Sequence, residues 1–298
     1  MSKKLKVQDL SEIKKIYQAI RYGILQRHVY YMTSPLRILP EVIIIGVGRG
    51  GTTSLFHYLS QHPCIRGSAY DELGFFDENY HLGINWYRSL FPTKSSGNEI
   101  MKKFGRFLTY EVTPQYLRKP WVAKRILETY PNMKLIVMLR NPIDKSLSHY
   151  HLAKRNNHKL LKKDGKIMSF DEVVDKDIKF LSNLDMNNLD ENYFRNVITK
   201  TFLGRGFYAQ FFNEWFKVFS RKQFLILSTE ELADQTQNVL KQIFRFLNIP
   251  EVDIPDIQKH NTGKYDSMNE NTRHKLAEFF HEHNQNLYKL LDRDFGWK

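Results

Sequence analysis

The densest chemistry in the sequence lies in Gly46-Val47-Gly48-Arg49-Gly50-Gly51-Thr52-Thr53-Ser54. Glycines let a backbone turn tightly and bring its N–H groups up to an anion. Arg49 adds a cation, and Thr52, Thr53 and Ser54 add hydroxyl donors. A helix starting at Thr52 presents unpaired N–H groups and a positive dipole end to the same spot. This is chemistry for holding a phosphate or a sulfate; a plain strand-to-helix turn has no use for the arginine and the Thr-Thr-Ser run. Gly46 and Gly51 have the spacing of the nucleoside-triphosphate loop, yet Thr52 stands where that loop carries its lysine. No apolar strand ends in an aspartate for magnesium, since Lys134 to Leu139 runs into Arg140. Both halves of a Mg·ATP clamp are missing, which leaves a kinase as the weaker alternative.

A second anion site is readable in Leu139-Arg140-Asn141-Pro142-Ile143-Asp144-Lys145-Ser146-Leu147-Ser148. Pro142 suits the first turn of a helix. Arg140 at a strand end and Ser148 two turns into that helix converge on one phosphate. Taken alone, the segment is also an ordinary strand end followed by an amphipathic helix. Histidine is a common acid/base group, so His151, from the same helix, is a candidate base, while His81 and His149 read as packing or hydrogen-bonding residues. Cys64, the one cysteine, reads as the packed end of a helix rather than as a nucleophile. No His/Cys/Asp/Glu cluster has metal-ligand spacing, and no metal is expected.

Together these segments resemble the sulfotransferases that use 3′-phosphoadenosine 5′-phosphosulfate (PAPS), over roughly residues 38 to 297. The likeness is strongest to the group containing bacterial sulfotransferases and the domains that modify heparan sulfate. Further segments carry it: Asp71-Glu72-Leu73-Gly74-Phe75-Phe76-Asp77, Tyr80-His81, Gly83-Ile84-Asn85-Trp86-Tyr87, Glu111-Val112-Thr113-Pro114 and Asn261-Thr262-Gly263-Lys264-Tyr265. The resemblance implies a P-loop-like sulfotransferase fold and transfer of a sulfuryl group to an acceptor hydroxyl or amine by in-line displacement, releasing 3′-phosphoadenosine 5′-phosphate. It places Arg49, Gly50, Gly51, Thr52, Thr53 and Ser54 on the 5′-phosphosulfate, with Arg49 also catalytic. Arg140 and Ser148 fall on the 3′-phosphate, and Tyr208, Gly263, Lys264 and Tyr265 elsewhere on the donor. Glu72 becomes the general base, against the plain alternative of a solvent-exposed carboxylate at a helix start. Asp77, Thr113 and His151 fall on the acceptor side, with Glu111 to Pro114 lining the acceptor cleft.

The acceptor side departs from the heparan-modifying members. Gly74 replaces a common histidine, Val112 a lysine, and Asp71 another lysine. A heparan-type acceptor is therefore in doubt, and a nucleotide-binding module without turnover stays open. An anionic glycan, a glycolipid or a small alcohol all remain as acceptors.

These residues need a scaffold. Val42 to Ile45, Lys134 to Leu139 and Phe224 to Leu227 read as buried strands. Helical spacing marks 52–60, 121–130, 207–219, 236–247 and 269–291, and Ser169-Phe170-Asp171-Glu172 is a capping box opening another helix. Strands alternating with helices predict an α/β fold: a central, mostly parallel sheet flanked by helices. The stripe at 207–219 reads as core. Thr93 to Asn98 and the basic stretch Asn156 to Lys166 read as loops. At 298 residues, a single large domain over 38–298 is expected. Residues 1–37 form a basic amphipathic helical arm, packed on the domain edge or touching a membrane surface.

The formal net charge of +13 calls for an anionic partner. Nucleic acid is not expected, because no zinc-finger spacing or RNP-like motif accompanies the charge. With no long apolar run, no signal-type segment and no disulfide, a cytoplasmic protein is the expectation.

Overall fold

The computed structural model describes residues 29–184, 190–258 and 268–297. The N-terminal arm to residue 28 and the segment carrying Gly263, Lys264 and Tyr265 lie outside the described residues. In chain order the core begins with β1 (Val42–Gly46), α1 (Thr52–Ser60), β2 (Ile65–Gly67), α2 (Gly83–Arg88), α3 (Lys94–Phe104) and β3 (Leu108–Val112). It continues through α4 (Trp121–Thr129), β4 (Lys134–Leu139) and α5 (Pro142–Arg155), then a small hairpin of β5 (Lys162–Lys163) and β6 (Lys166–Ile167). After α6 (Phe170–Leu181), α7 (Glu191–Lys200) and α8 (Tyr208–Phe216) come β7 (Phe224–Ser228), α9 (Thr229–Asp234), α10 (Thr236–Leu247) and α11 (Glu270–Leu291).

Five strands form one parallel sheet in the order β2-β3-β1-β4-β7. Successive side chains of a strand point to opposite faces, and here both faces are covered. Ile43 and Ile45 of β1 and Leu135, Val137 and Leu139 of β4 enter one core, with α4 to α8 and α11 packed over it. Val42 and Ile44, with Ile136 and Met138, enter the other, under α1 and α10. Burial on both sides is why these strands read as unbroken apolar runs.

The structure adds two strands to this sheet that the sequence reading missed. β2 has only three residues, and β3 interleaves Thr109 and Glu111 with apolar neighbours, yet all five of its residues are buried. Thr93 to Asn98 is not a loop: Thr93 caps α3 by accepting a hydrogen bond from the Ser96 N–H. Gly97 faces inward, where an added Cβ would meet Phe107 at 2.8 Å. Asn156 to Lys166 includes a short helical turn and most of the β5–β6 hairpin. The Ser169 capping box forms as expected, with both of its hydrogen bonds present. No described helix is long and apolar enough to cross a membrane.

Candidate active site

The glycine loop leaves the C-terminal end of β1 and is pinned before α1 begins. Val47 N–H donates to the Met138 carbonyl at 2.7 Å, and Gly50 N–H to the Val47 carbonyl at 2.9 Å. Gly50 has no room for a side chain, since a Cβ there would sit 2.7 Å from the Met138 oxygen. Gly51 takes φ 79° as the residue before α1, a conformation that suits glycine. Thr229 Oγ1 ties the loop to its neighbours, lying 2.9 Å from the Gly50 carbonyl and 2.8 Å from that of Leu139. Its backbone is thus fixed before any ligand arrives.

The second motif meets the loop directly. Arg140 Nη1 donates to the Arg49 carbonyl at 2.9 Å, and Arg49 Nε donates to Ser148 Oγ at 2.9 Å. The two anion sites read separately in the sequence are therefore adjacent walls of one cavity of about 600 Å³. Arg49, Gly51, Thr52, Thr53, Ser54, Arg140 and Ser148 all line it, as does Glu72. Tyr208 does not reach this wall. It is buried beneath, and its hydroxyl donates to the Arg140 carbonyl at 2.8 Å, so it supports the strand end.

Glu72 is carried by a segment that docks along the end of β3. Ser68 N–H donates to the Tyr110 carbonyl at 2.8 Å and Glu72 N–H to that of Val112 at 2.7 Å. Gly74 N–H then donates to Thr113 Oγ1, and Phe76 N–H to Tyr116 Oη. Glu72 itself adopts φ 56°, an uncommon backbone for a residue with a side chain. Glu72 is exposed in the free protein, yet the protein packed around its carboxyl still pushes the pKa up, and the neighbouring Asp71 adds to this; Arg118 and a hydrogen bond from Gln115 pull it back.

Three residues expected on the acceptor side are placed off the cavity wall. Asp77 is nearly buried and ion-paired with Lys119 Nζ at 2.6 Å. Thr113 is buried, donating to Glu111 Oε2 while receiving the Gly74 amide. His151 packs edge-on against Tyr150, one residue away from the wall position Leu152. Of Glu111 to Pro114, only Pro114 lines the cavity. Glu111 is fully buried, accepts from Tyr87 Oη at 2.9 Å, and is pushed up to about 8 by burial. Val112 is buried in the core beneath α1 and α10. Cys64 is buried just before β2, after the helix has ended.

The wall also contains groups the sequence reading did not single out: Arg118, Lys145, His149 and Arg205. Lys145 and His149 share a face of α5 with Ser148, a three-to-four-residue spacing that was available as a signal. Arg118 and Arg205 arrive from distant segments and carry no local signature. Burial drives the Lys145 pKa well down, and Arg205, Arg118 and Arg140 add to the effect. Burial, then Arg205, does the same to His149. Arg205 itself is lowered to about 9, by burial and then by Arg118. Among the described residues, these cations hold neutral partners. Arg118 donates to Gln115, Arg140 to the Arg49 carbonyl, Lys145 to the Arg205 carbonyl, and Arg205 to the Ile198 carbonyl and His149.

Known proteins resemble this chain. The profile of the sulfotransferase domain matches residues 39–295. The chain is 27% identical to the membrane-associated sulfotransferase kil1 of Dictyostelium discoideum, over 88% of this chain and 67% of that protein. It is 28% identical to heparan sulfate glucosamine 3-O-sulfotransferase 3B1 of Mus musculus, over 87% of this chain and 65% of that protein. The chain thus spans about two thirds of the length of these curated relatives. Among solved structures, a sulfotransferase from Alicyclobacillus acidocaldarius superposes with a TM-score of 0.62 at 26% identity, covering 87% of this chain and 98% of that one. A glycine loop after β1, an Arg/Ser pair after β4, a parallel sheet to align them and a match across nearly the whole sheet-bearing region lead to one conclusion: the chain belongs to the sulfotransferase family.

Proposed function

We propose that the cavity binds PAPS as donor substrate and that the chain transfers its sulfuryl group to an acceptor hydroxyl or amine. One observation carries this reading. Arg118, Arg140, Lys145 and Arg205 converge on a single cavity, and among the described residues no carboxylate pairs with any of them at contact distance. Partly buried cations with no carboxylate in direct contact favour a ligand that brings several negative charges at more than one point. PAPS does so, through its 5′-phosphosulfate and its 3′-phosphate. Mg·ATP fits less well, because Thr52 replaces the loop lysine and Arg140 stands at the strand end.

In the proposed reaction, the Glu72 carboxylate takes the proton of the acceptor group as its oxygen or nitrogen attacks sulfur. The bond between sulfur and the bridging oxygen breaks, and 3′-phosphoadenosine 5′-phosphate leaves with the electron pair. Charge gathers on the leaving phosphate, where Arg49 and the amides of Gly50 to Thr53 supply a fixed positive field. Arg140 and Ser148 anchor the 3′-phosphate and so fix the donor's reacting end. The acceptor class proposed is an anionic glycan, on the strength of the cationic wall and the glycan-modifying relatives; a glycolipid or a small alcohol is the alternative.

The test is paired. Glu72→Gln should bind PAPS within a few-fold of the wild type, by calorimetry, while turnover in a labelled-PAPS acceptor screen falls by about 10²–10⁴. Normal turnover by that variant would remove Glu72 as base. Thermal stabilisation by Mg·ATP equal to that by PAPS would favour the kinase reading.

A further inference from the structure

Glu72 does not face the cavity by its own segment alone. Gln115 and Arg118 lie just beyond β3, on the turn that also carries Pro114 and Leu117 to the cavity wall. Arg118 Nη2 donates to Gln115 Oε1 at 2.7 Å. The Gln115 side chain is in turn hydrogen-bonded to the Glu72 carboxylate. A carboxylate only accepts, so the amide must offer its NH₂ to Glu72. An amide can turn over and present its oxygen instead, which would repel the carboxylate. The guanidinium prevents this: with five donors and no acceptor, it holds the amide oxygen on its own side.

We propose that Arg118 is a positioning residue, which locks the Gln115 amide so that the amide holds the Glu72 carboxylate in the cavity wall. The inference rests on the reading of Glu72 as base. Arg118 is itself held in place electrostatically. Lys145, His149 and Arg205 are close enough to repel it, and Asp77, Glu72 and Glu78 attract it. Burial lowers its pKa only to about 10, so it stays charged at neutral pH. Its Nε is shut from solvent with no partner, which leaves the Nη2 bond to Gln115 as its anchoring contact. The charges facing Glu72 are Asp71 on its own segment, which favours the protonated acid, and Arg118 across the wall, which opposes it. Arg118 thereby supplies from the wall a positive charge that Val112 does not.

The experiment is the pH dependence of kcat for the wild type, Arg118→Met, Arg118→Lys, Gln115→Ala and Glu72→Gln, on one acceptor with saturating PAPS. Losing the cation raises the pKa of the base, so the acid limb should move to higher pH. For Arg118→Met we expect the limb to move up by about one pH unit, hence about tenfold less turnover on that limb relative to the variant's own alkaline plateau, whatever donor affinity it also loses. Arg118→Lys should bring the limb part of the way back. Gln115→Ala leaves the cation in place and should move the limb in the same direction even if Arg118→Met fails to fold. A purely structural role predicts loss by one factor at every pH with the limb unmoved, and that result overturns the proposal. Should Glu72→Gln keep normal turnover and its acid limb, the base reading fails first and takes this inference with it. A dead Glu72→Gln beside an unshifted Arg118→Met refutes the inference alone.

Discussion

Glu111 offers the sharpest test of how the acid segment is supported. It is fully buried on β3, between Tyr87, Thr113 and Tyr116, with no cation paired to it among the described residues. Burial raises its pKa from the ordinary 4.5 to about 8, and the hydrogen bonds only partly offset this. The folded protein therefore keeps this proton at neutral pH while the unfolded chain gives it up. A raised carboxyl contributes its full stability below the unfolded value and loses it as the pH climbs through the folded one. Each pH unit between the two values is worth about 1.4 kcal/mol, so the wild type should lose about 4–5 kcal/mol of stability from this group between about pH 4.5 and 8. Glu111→Gln keeps the shape and an acceptor for Tyr87 but has no proton to lose.

Urea denaturation at about pH 5 and about pH 8.5 reads the effect as a difference between the two proteins, so other titrating groups cancel. The two should be similar at the acid end, with the variant several kcal/mol more stable at the alkaline end. A stability difference that is the same at both pH values would falsify the assignment of Glu111 as a buried neutral acid.

Three other outcomes are expected. Arg140→Ala should weaken PAPS binding by about 1.5–3 kcal/mol and spare adenosine 5′-phosphosulfate, which has no 3′-phosphate; equal losses in calorimetry would mean that its bond to the Arg49 carbonyl shapes the loop instead. Arg49→Ala should lower turnover by about 10²–10³, with partial recovery in Arg49→Lys; a raised KM with unchanged kcat in steady-state assays would demote it to uniform binding. Because burial depresses the pKa of both Lys145 and His149, a polyanion placed beside them should raise both, so 3′-phosphoadenosine 5′-phosphate should bind with proton uptake and bind more weakly as the pH rises. Calorimetry in buffers of different ionisation enthalpy measures this, and a buffer-independent heat would refute it.

The glycine-loop half of the candidate site was legible because its residues are contiguous in the sequence. A glycine loop between a strand and a helix must be contiguous, and Arg140 and Ser148 share one strand-to-helix passage. The three apolar strands were legible because both faces are buried. β3 was not: Glu111 breaks its apolar run, and only the ring of Tyr87, Thr113 and Tyr116 makes a buried glutamate tolerable. Where Thr113 and Asp77 sit was not legible for a related reason. Sequence proximity to a functional residue does not say which face of the backbone a side chain takes. Asp77 turns to Lys119, Thr113 turns inward, and one residue separates His151 from the wall at Leu152.

The sheet order explains why a site assembled from Arg49, Glu72, Arg118, Arg140 and Arg205 is nonetheless one site. From β1 the chain first passes to the edge strand β2 and returns inward to β3 on one side, then crosses to β4 and β7 on the other. The connections leaving β3 and β4 therefore diverge from either side of β1 and open a crevice beyond its C-terminal end. In open parallel sheets, such a switch point is where ligands bind. The glycine loop emerges into that crevice. Gln115 and Arg118 come from the β3 side, together with the Glu72 segment docked on β3; Arg140, Lys145 and Ser148 come from the β4 side; Thr229, following β7, ties the loop to Leu139. The groups proposed to hold the donor's anions are thus gathered by β1 and β4, while the proposed base and its cation are gathered by β3. Donor and acceptor can meet only where those two sets face each other across the end of β1.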